Sequence, residues 1–263
     1  RSFAFGACFL VIVGVTGCSG EARKARSKER ASAALAAGEL EKAKVEYMSL
    51  VQRGKGDAEV MSQLGLIWSL QGSGIPAGRY FVEARQRGAL SVPLRVRLAF
   101  AFMGLGDTAG ARDEAQTILK MDPANGEALL MMAQTARTPE EVEATRLLID
   151  SFPNRDSAAF HLASVPFLMR AGKVLEAEDA VAKALAAEPE SVVAHLTAGS
   201  LRLGRKDLAG AEQSIKKASE LAPVRSPERM KLAEFKAQQG QMEEAKKLVA
   251  GILEKAPDYV PAL

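Results

Sequence analysis

The sequence predicts an all-α protein, a solenoid of antiparallel helix hairpins stacked side by side. Three observations lead to this prediction. Alanine and proline recur at intervals of 34 residues, aromatic residues make up only 5% of the 263-residue chain, and glycine or proline stands where the helices would turn. A composition dominated by Ala and Leu favours packed helices, whereas a β-sandwich would contain more Val, Ile, Thr and aromatic residues.

The 34-residue period runs through most of the chain. The residues that mark this period are Ala43, Ala77, Ala111, Ala177, Ala211 and Ala245, together with Pro123, Pro189, Pro223 and Pro257. Small residues allow two helices to approach to about 8–10 Å, and a late proline ends the second helix of each hairpin. The spacing therefore predicts one helix hairpin for each period.

Residues 58–91 carry the fullest set of markers. They are Gly65, Trp68, Ala77, Phe81 and Ala84, and Ala184, Gly199 and Ala218 occupy matching positions later in the chain. This pattern resembles the tetratricopeptide repeat (TPR). The resemblance implies a right-handed superhelix of about seven repeats. Their expected bounds are 24–57, 58–91, 92–125, a short 126–155, a long 156–191, 192–225 and 226–257, with residues 258–263 beginning another.

The period slips between Pro123 and Pro189. In the short unit, Thr138 as N-cap, Pro139 at the first position and Glu141 at the third should start the second helix. In the long unit, Pro166 lies inside the first helix and should kink it, because proline lacks an N–H. We expect the curvature to change near residues 137–172.

The N-terminus reads as an export segment. Residues 3–15 form an apolar run that is too short to span a bilayer as a helix, which favours a signal peptide over residues 1–17. The run ends in Val15, Thr16, Gly17 and Cys18, which resembles a bacterial lipobox. That resemblance implies a lipid on Cys18, a linker over 18–23, and a place on the periplasmic face of the outer membrane. If the motif were accidental, the protein would be a soluble cytoplasmic one.

The sequence offers no catalytic constellation. The net charge of +3 is spread along the chain, without the basic stripe of a nucleic-acid surface. Residues 104–109 match the glycine pattern of a dinucleotide-binding motif. That motif must follow a strand, whereas these residues follow a predicted helix. His161 and His195 lack a second ligand at metal spacing. We therefore expect no enzyme activity, no cofactor, no metal, no nucleic acid and no small-molecule substrate.

The TPR resemblance also implies a binding groove. In TPR proteins the first helices line a concave face, and the residues at those positions here are mainly apolar. They are Leu66, Val96, Phe100, Met103, Leu130, Gln134, Arg137, Leu196 and Leu203. An apolar groove suits an extended segment or an amphipathic helix. Packing of the same residues against the chain's own neighbouring helices is the alternative.

The expected function is a protein-binding scaffold in a cell-envelope assembly or export system. The alternative is a non-catalytic arm of a larger enzyme, such as a glycosyltransferase system, with its catalytic domain beyond Leu263. Because the chain starts at Arg1 and stops in mid-pattern, we expect it to be a piece of a longer protein. We also expect the apolar edge of its last hairpin to be exposed.

Overall fold

The computed structural model describes residues 16–88 and 90–263, with the backbone alone for residues 16–19. These residues form fifteen α-helices and one 3-10 helix, with no strand among them. In chain order the helices are α1 (Thr16–Ala36), α2 (Leu40–Gln52), α3 (Ala58–Leu70), α4 (Gly74–Arg87), α5 (Val92–Gly104), α6 (Thr108–Met121), α7 (Gly126–Thr135), α8 (Pro139–Asp150), α9 (Ala158–Ala163), α10 (Val165–Arg170), α11 (Val174–Ala187), α12 (Val192–Gly204), α13 (Leu208–Leu221), α14 (Pro227–Gln238), α15 (Met242–Lys255) and the 3-10 helix (Val260–Ala262). The predicted all-α solenoid of helical hairpins is confirmed.

The helices fall into two compact units, of which the first ends at Gly56. In this unit α1 packs against α2, and Ala31, Ala43 and Tyr47 are buried between them. Arg30 joins the two helices through a paired hydrogen bond, since its Nε and Nη2 donate to the two carboxylate oxygens of Glu46 at 3.0 and 3.1 Å. The pKa of Glu46 is lowered by this bond.

The second unit spans Asp57–Leu263 and contains six hairpins. The first helix of a hairpin generally packs against its own second helix and against the second helix of the preceding hairpin, as α5 does with α6 and α4. Each hairpin thus covers the apolar side of its neighbour, so stability accumulates along the stack.

The marker residues lie where helices make their closest contacts. Every marker alanine from Ala43 to Ala245 is buried. A Cβ added at Gly65 would lie 2.6 Å from the Phe81 ring, and one at Gly199 would lie 2.8 Å from Ile215. No larger residue fits either position without displacing its neighbour. The four marker prolines are exposed and follow the ends of α6, α11, α13 and α15.

The short hairpin departs from this packing scheme. Helix α7 has 10 residues where α5 has 13. Thr138 and Glu141 form the predicted capping box, in which the Glu141 carboxylate accepts from the Thr138 N–H at 3.1 Å and the Glu141 N–H donates to the Thr138 hydroxyl at 3.2 Å. Helix α9 then packs on α7 as well as on α11, and a Cβ at Gly126 would meet Ala159 at 2.6 Å.

The first helix of the next hairpin is broken, as the sequence predicts. It consists of α9 and α10, which meet at Ser164, and Pro166 is the second residue of α10. The proline removes one N–H donor from the helix at this point.

The end of the chain does not leave an apolar edge exposed, contrary to our expectation. Tyr259 and Ala262 are 1% and 5% exposed, and they pack with Met230, Ile252 and Ala256 of the last hairpin. The short segment after α15 therefore covers part of the apolar side of the last hairpin with Tyr259 and Ala262, while Val260 and Leu263 are exposed.

The same segment, residues 258–263, returns to the α3–α4 turn, and we call this contact the clasp. The Gln71 side-chain amide donates to Asp258 at 3.1 Å, and the Val260 N–H donates to the Gln71 carbonyl at 2.9 Å. Pro261 lies directly on Gly72, where an added Cβ would be 2.3 Å from its ring. The clasp joins the first and last hairpins of the second unit.

Candidate functional site

The predicted groove residues lie on first helices, or just after one in the case of Arg137, and they differ widely in exposure. Phe100 is 49% exposed, and Gln134 and Arg137 are also exposed. Val96 is only 6% exposed and packs among residues of α5, α6 and α7. The other five are half-buried, namely Leu66, Met103, Leu130, Leu196 and Leu203.

Several of these side chains are committed to the chain's own core. Met103 packs against the same cluster as Val96, Leu130 packs against the clusters around α7, α9 and α11, and Leu203 packs against the cluster of α13 and α14. Phe100, Gln134 and Arg137 are therefore the predicted residues most available to a partner. The first-helix face is less apolar than the sequence pattern predicts.

Two buried charged residues on α6 were not singled out from the sequence. Glu114 is 2% exposed and forms ion pairs with Arg85 of α4 and with Arg95 of α5, the latter at 2.7 Å. Arg112 is 7% exposed and donates to the Met132 carbonyl at 3.0 Å. In the sequence, their burial was indicated only by their spacing of three or four positions from core alanines on α6.

Arg112 connects three helices. Besides Met132 on α7, its guanidinium donates to the Thr145 hydroxyl at 3.1 Å and to the Glu141 carbonyl at 3.2 Å, both on α8. Arginine provides five donors in a fixed geometry, so one side chain can satisfy several carbonyls at once. Thr145 is the residue of α8 that is buried. This network holds the short hairpin to the rest of the stack.

A long groove runs between α11 and α13 over α12, and we call it the α11–α13 groove. It contains a cavity of about 610 Å³ and a second one of about 430 Å³, and Leu185, Ala198 and Arg202 line both. Its floor is apolar, since Val181, Ala198 and Leu201 are buried there and Leu185 is half-buried. Sequence reasoning from the first-helix positions did not find this groove, because it lies between second helices.

The rim of the groove is basic. Its charged residues are Arg202, Arg205, Lys206, Lys216 and Lys217 on the positive side, and Glu178, Asp207 and Glu220 on the negative side. Arg205 pairs with Glu178 at 2.7 Å, and its pKa is raised by that bond. Asp207 caps α13 by accepting from the Gly210 N–H at 2.9 Å.

The remaining basic side chains give the groove its excess charge. Arg202 donates to the Gly210 carbonyl at 3.0 Å and to the Ser214 hydroxyl at 2.5 Å, which are neutral partners. Lys206 and Lys217 form no ion pair with a carboxylate of the described part of the chain. The groove therefore combines an apolar floor with uncompensated positive charge.

The predicted lipobox lies at the limit of what the structure describes. Val15 is outside the described residues, and for Thr16, Gly17 and Cys18 only the backbone is described, which begins α1. Among residues 16–88 and 90–263, no helix has the length and apolar character needed to cross a bilayer. The same residues contain no cluster of His, Cys, Asp and Glu suited to a metal ion. His161 contacts the Phe160 ring, and His195 bonds the Pro189 carbonyl.

Comparison with known proteins agrees with the hairpin architecture. Residues 202–263 match the family model described as the tetratricopeptide repeat. A tetratricopeptide repeat protein from Parabacteroides merdae is 16% identical, with a TM-score of 0.58 over 87% of this chain and 91% of that one. The chain has the TPR fold.

A second solved structure with this fold is the APC/C hetero-tetramer Cut9–Hcn1. It is 13% identical to the chain, with a TM-score of 0.52 over 88% of this chain and 46% of that one. No curated protein matches the chain. TPR proteins are generally non-catalytic scaffolds that bind other proteins, and stacked repeats create extended binding surfaces.

Proposed function

We propose that the chain is a membrane-anchored scaffold that binds other proteins in a bacterial cell-envelope assembly or export system. The observation that carries the binding role is the α11–α13 groove, which presents an apolar floor and a charged rim on a rigid stack of helices. The exposed Phe100 on α5 adds a further apolar contact on the first-helix side. Apolar anchors surrounded by charges are typical of peptide-recognition surfaces.

The anchoring role rests on the sequence from Val15 to Cys18. A single acyl chain binds membranes only weakly, so stable anchoring needs more than one lipid chain or an added basic segment. The diacylglycerol thioether of a lipoprotein supplies two chains. Residues 21–30 carry five basic side chains against two acidic ones, and this excess would favour an anionic membrane surface, the alternative being a solvated linker that runs into the first helix. Ser19 after the lipidated cysteine favours the outer membrane.

A paired cysteine experiment tests the anchor. Cells expressing the full chain are grown with an alkyne-labelled fatty acid, and the chain is followed by label and by membrane fractionation. We expect Cys18→Ala to lose the label and leave the membrane fraction, whereas Cys8→Ala keeps both. A Cys18→Ala chain that keeps both the label and its place in the membrane fraction would refute lipidation at this cysteine.

Affinity capture tests the scaffold role. The full chain is used as bait in detergent-solubilised membranes of its own cells, with a Cys18→Ala chain in parallel. We expect envelope proteins to be retained by the anchored chain. Recovery of no protein above the background of an empty resin would contradict the proposed function.

A further inference from the structure

The turn between α12 and α13 has a lysine where the other hairpin turns with positive φ have glycine. The residues with positive φ in these turns are Gly38, Gly72, Gly106, Gly172, Lys206 and Gly240. Lys206, at φ 62°, is the one non-glycine residue with positive φ in the described part of the chain. L-residues with a side chain disfavour this conformation, and such an outlier is a reason to look for a function.

The turn itself does not require a lysine. The Lys206 N–H donates to the Leu203 carbonyl at 2.9 Å, and the Gly106 N–H makes the same bond to Met103 at 3.0 Å. Asp207 and Asp107 cap the following helices in the same way. Glycine would therefore build this turn equally well, and the lysine side chain lines the larger cavity of the α11–α13 groove.

Helices α11, α12 and α13 are the counterparts of α4, α5 and α6, displaced by 100 residues along the sequence. The markers Ala84, Ala111 and Pro123 correspond to Ala184, Ala211 and Pro223. In the earlier hairpins Arg85 and Arg95 both pair with the buried Glu114. Their counterparts are Leu185, His195 and Ser214, and all three line the smaller cavity of the groove. The groove thus lacks the ion-paired cluster that its counterpart has at these positions.

The two sets of helices also differ in the charge of the residues at the rim. The neutral residues Phe102, Gly106 and Thr117 correspond to Arg202, Lys206 and Lys217. The groove is basic at these three positions, whereas its counterpart carries positive charges elsewhere, at Arg85, Arg95 and Lys120. Because neither lysine has a carboxylate partner among the described residues, the charges are available to a ligand.

We propose that the α11–α13 groove binds an acidic amphipathic helix of a partner protein. This inference rests on the proposed function and names the class of partner. On α11, Ala182 is exposed and Leu185 is half-buried, so the apolar face of a bound helix would contact these two residues, above the buried Val181 and Leu201. Lys206 lies in the turn before α13 and Lys217 lies on α13, so the helical rise separates them by about 15 Å along the helix, which corresponds to about three turns of a bound helix. Carboxylates at the two ends of such a helix would face the two lysines.

A designed peptide tests this proposal. The probe is a fluorescein-labelled 18-residue helix with Leu on one face and Glu on the other, and its twin has Lys in place of Glu. Fluorescence polarisation is measured with the full chain at low and at physiological salt. We expect the acidic peptide to bind, the basic twin not to bind, and the affinity to fall as salt rises, because exposed charges are screened.

Variants locate the binding site. An exposed ion pair contributes up to about a fivefold change in affinity, so Lys206→Gly and Lys217→Gln together should weaken binding about tenfold. Ala182→Trp should abolish it by filling the larger cavity, since Ala182 lines that cavity and is exposed. Lys247→Gln is the matched control, because Lys247 is exposed on α15 and does not line the groove.

Stability provides a readout of opposite sign. Lys206→Gly should leave the thermal midpoint unchanged or raise it by about 2 °C, while the reciprocal Gly106→Lys should lower it by about 2–4 °C. A variant that binds less while being at least as stable cannot be explained by misfolding.

Three results would overturn the proposal. They are equal binding of both peptides, groove variants that behave like Lys247→Gln, and a preference for phosphatidylglycerol vesicles over the acidic peptide. If affinity capture still recovers envelope proteins with the groove variants, the scaffold role stands and only the groove assignment fails.

Discussion

The clasp between the C-terminal segment and the α3–α4 turn can be tested with a pair of glycine variants. Gly72 and Gly106 hold equivalent turns at φ +75° and +77°. A Cβ at Gly72 would lie 2.3 Å from Pro261 and 2.8 Å from Tyr259, whereas no atom lies within 4 Å of a Cβ at Gly106. Substitution by Ala therefore imposes the same backbone strain at both sites and displaces the clasp only at Gly72.

The expected magnitudes follow from these contacts. The left-handed conformation costs an alanine about 1–2 kcal/mol, which is the whole effect expected for Gly106→Ala. Overpacking against a buried contact adds about 1–3 kcal/mol, so Gly72→Ala should be destabilised by about 2–5 kcal/mol. The two variants should thus differ by about 1–3 kcal/mol in the free energy of unfolding.

Urea unfolding followed by far-UV circular dichroism measures the difference, and hydrogen exchange shows its location. The Val260 N–H is protected by the Gln71 carbonyl at 2.9 Å, and this protection should fall in Gly72→Ala and persist in Gly106→Ala. Equal stability of the two variants, with Val260 protected in both, would refute the clasp.

Three further predictions concern buried polar groups. Arg112→Met should lose about 3 kcal/mol, since it removes the hydrogen bonds that the buried guanidinium donates to Met132, Glu141 and Thr145. Arg97→Met should cost less than about 1 kcal/mol, because it removes one hydrogen bond to the Ser69 hydroxyl, and thermal unfolding compares the two variants. Tyr259→Phe should be neutral or stabilising in urea, because the buried Tyr259 hydroxyl has no hydrogen-bond partner among the described residues. Burial raises the pKa of Tyr259 to about 12, so an absorbance titration of the variant should lack the tyrosine that ionises at this high pH. Burial by itself would raise the Asp258 pKa, but hydrogen bonds from an arginine and a glutamine lower it below its usual 3.8. The Asp258 carboxylate therefore stabilises the clasp above about pH 4, and this stabilisation is lost as the pH falls further. Hydrogen exchange of the clasp amides should show this pH dependence in the original chain and not in Asp258→Asn.

The repeat architecture was predictable because its determinants are local and periodic. The contact of Gly65 with Phe81 lies within one hairpin, and the capping box of Thr138 and Glu141 lies within one helix turn. Each hairpin then contacts mainly its neighbours in sequence. The break at Pro166 was predictable for the same reason, since it follows from the missing N–H.

The features that the sequence did not predict depend on distant residues. Gln71 and Asp258 meet only because of the accumulated geometry of six hairpins, which no single repeat specifies. Glu114 resembles a surface residue of α6 until its two arginine partners on other helices are known. Val96 occupies a ligand-facing position by the repeat pattern, yet the contacts of α5 with α6 and α7 bury it.

The groove was also missed for a structural reason. Its counterpart between α4 and α6 carries an ion-paired cluster, so the same repeat pattern presents different side chains in the two places. In the sequence the difference consists of substitutions between positions 100 residues apart. Their effect on the cavity requires all three helices.

Site-specific photo-crosslinking tests the central claim, that this solenoid binds other proteins, most directly. A photoreactive phenylalanine is placed in the full chain at Gln213, which lines the groove, at Phe100 on the first-helix side, and at Gln238 as an exposed control. After illumination of intact cells, we expect a protein adduct at Gln213 and none at Gln238. Absence of any protein adduct at both Gln213 and Phe100 would contradict it.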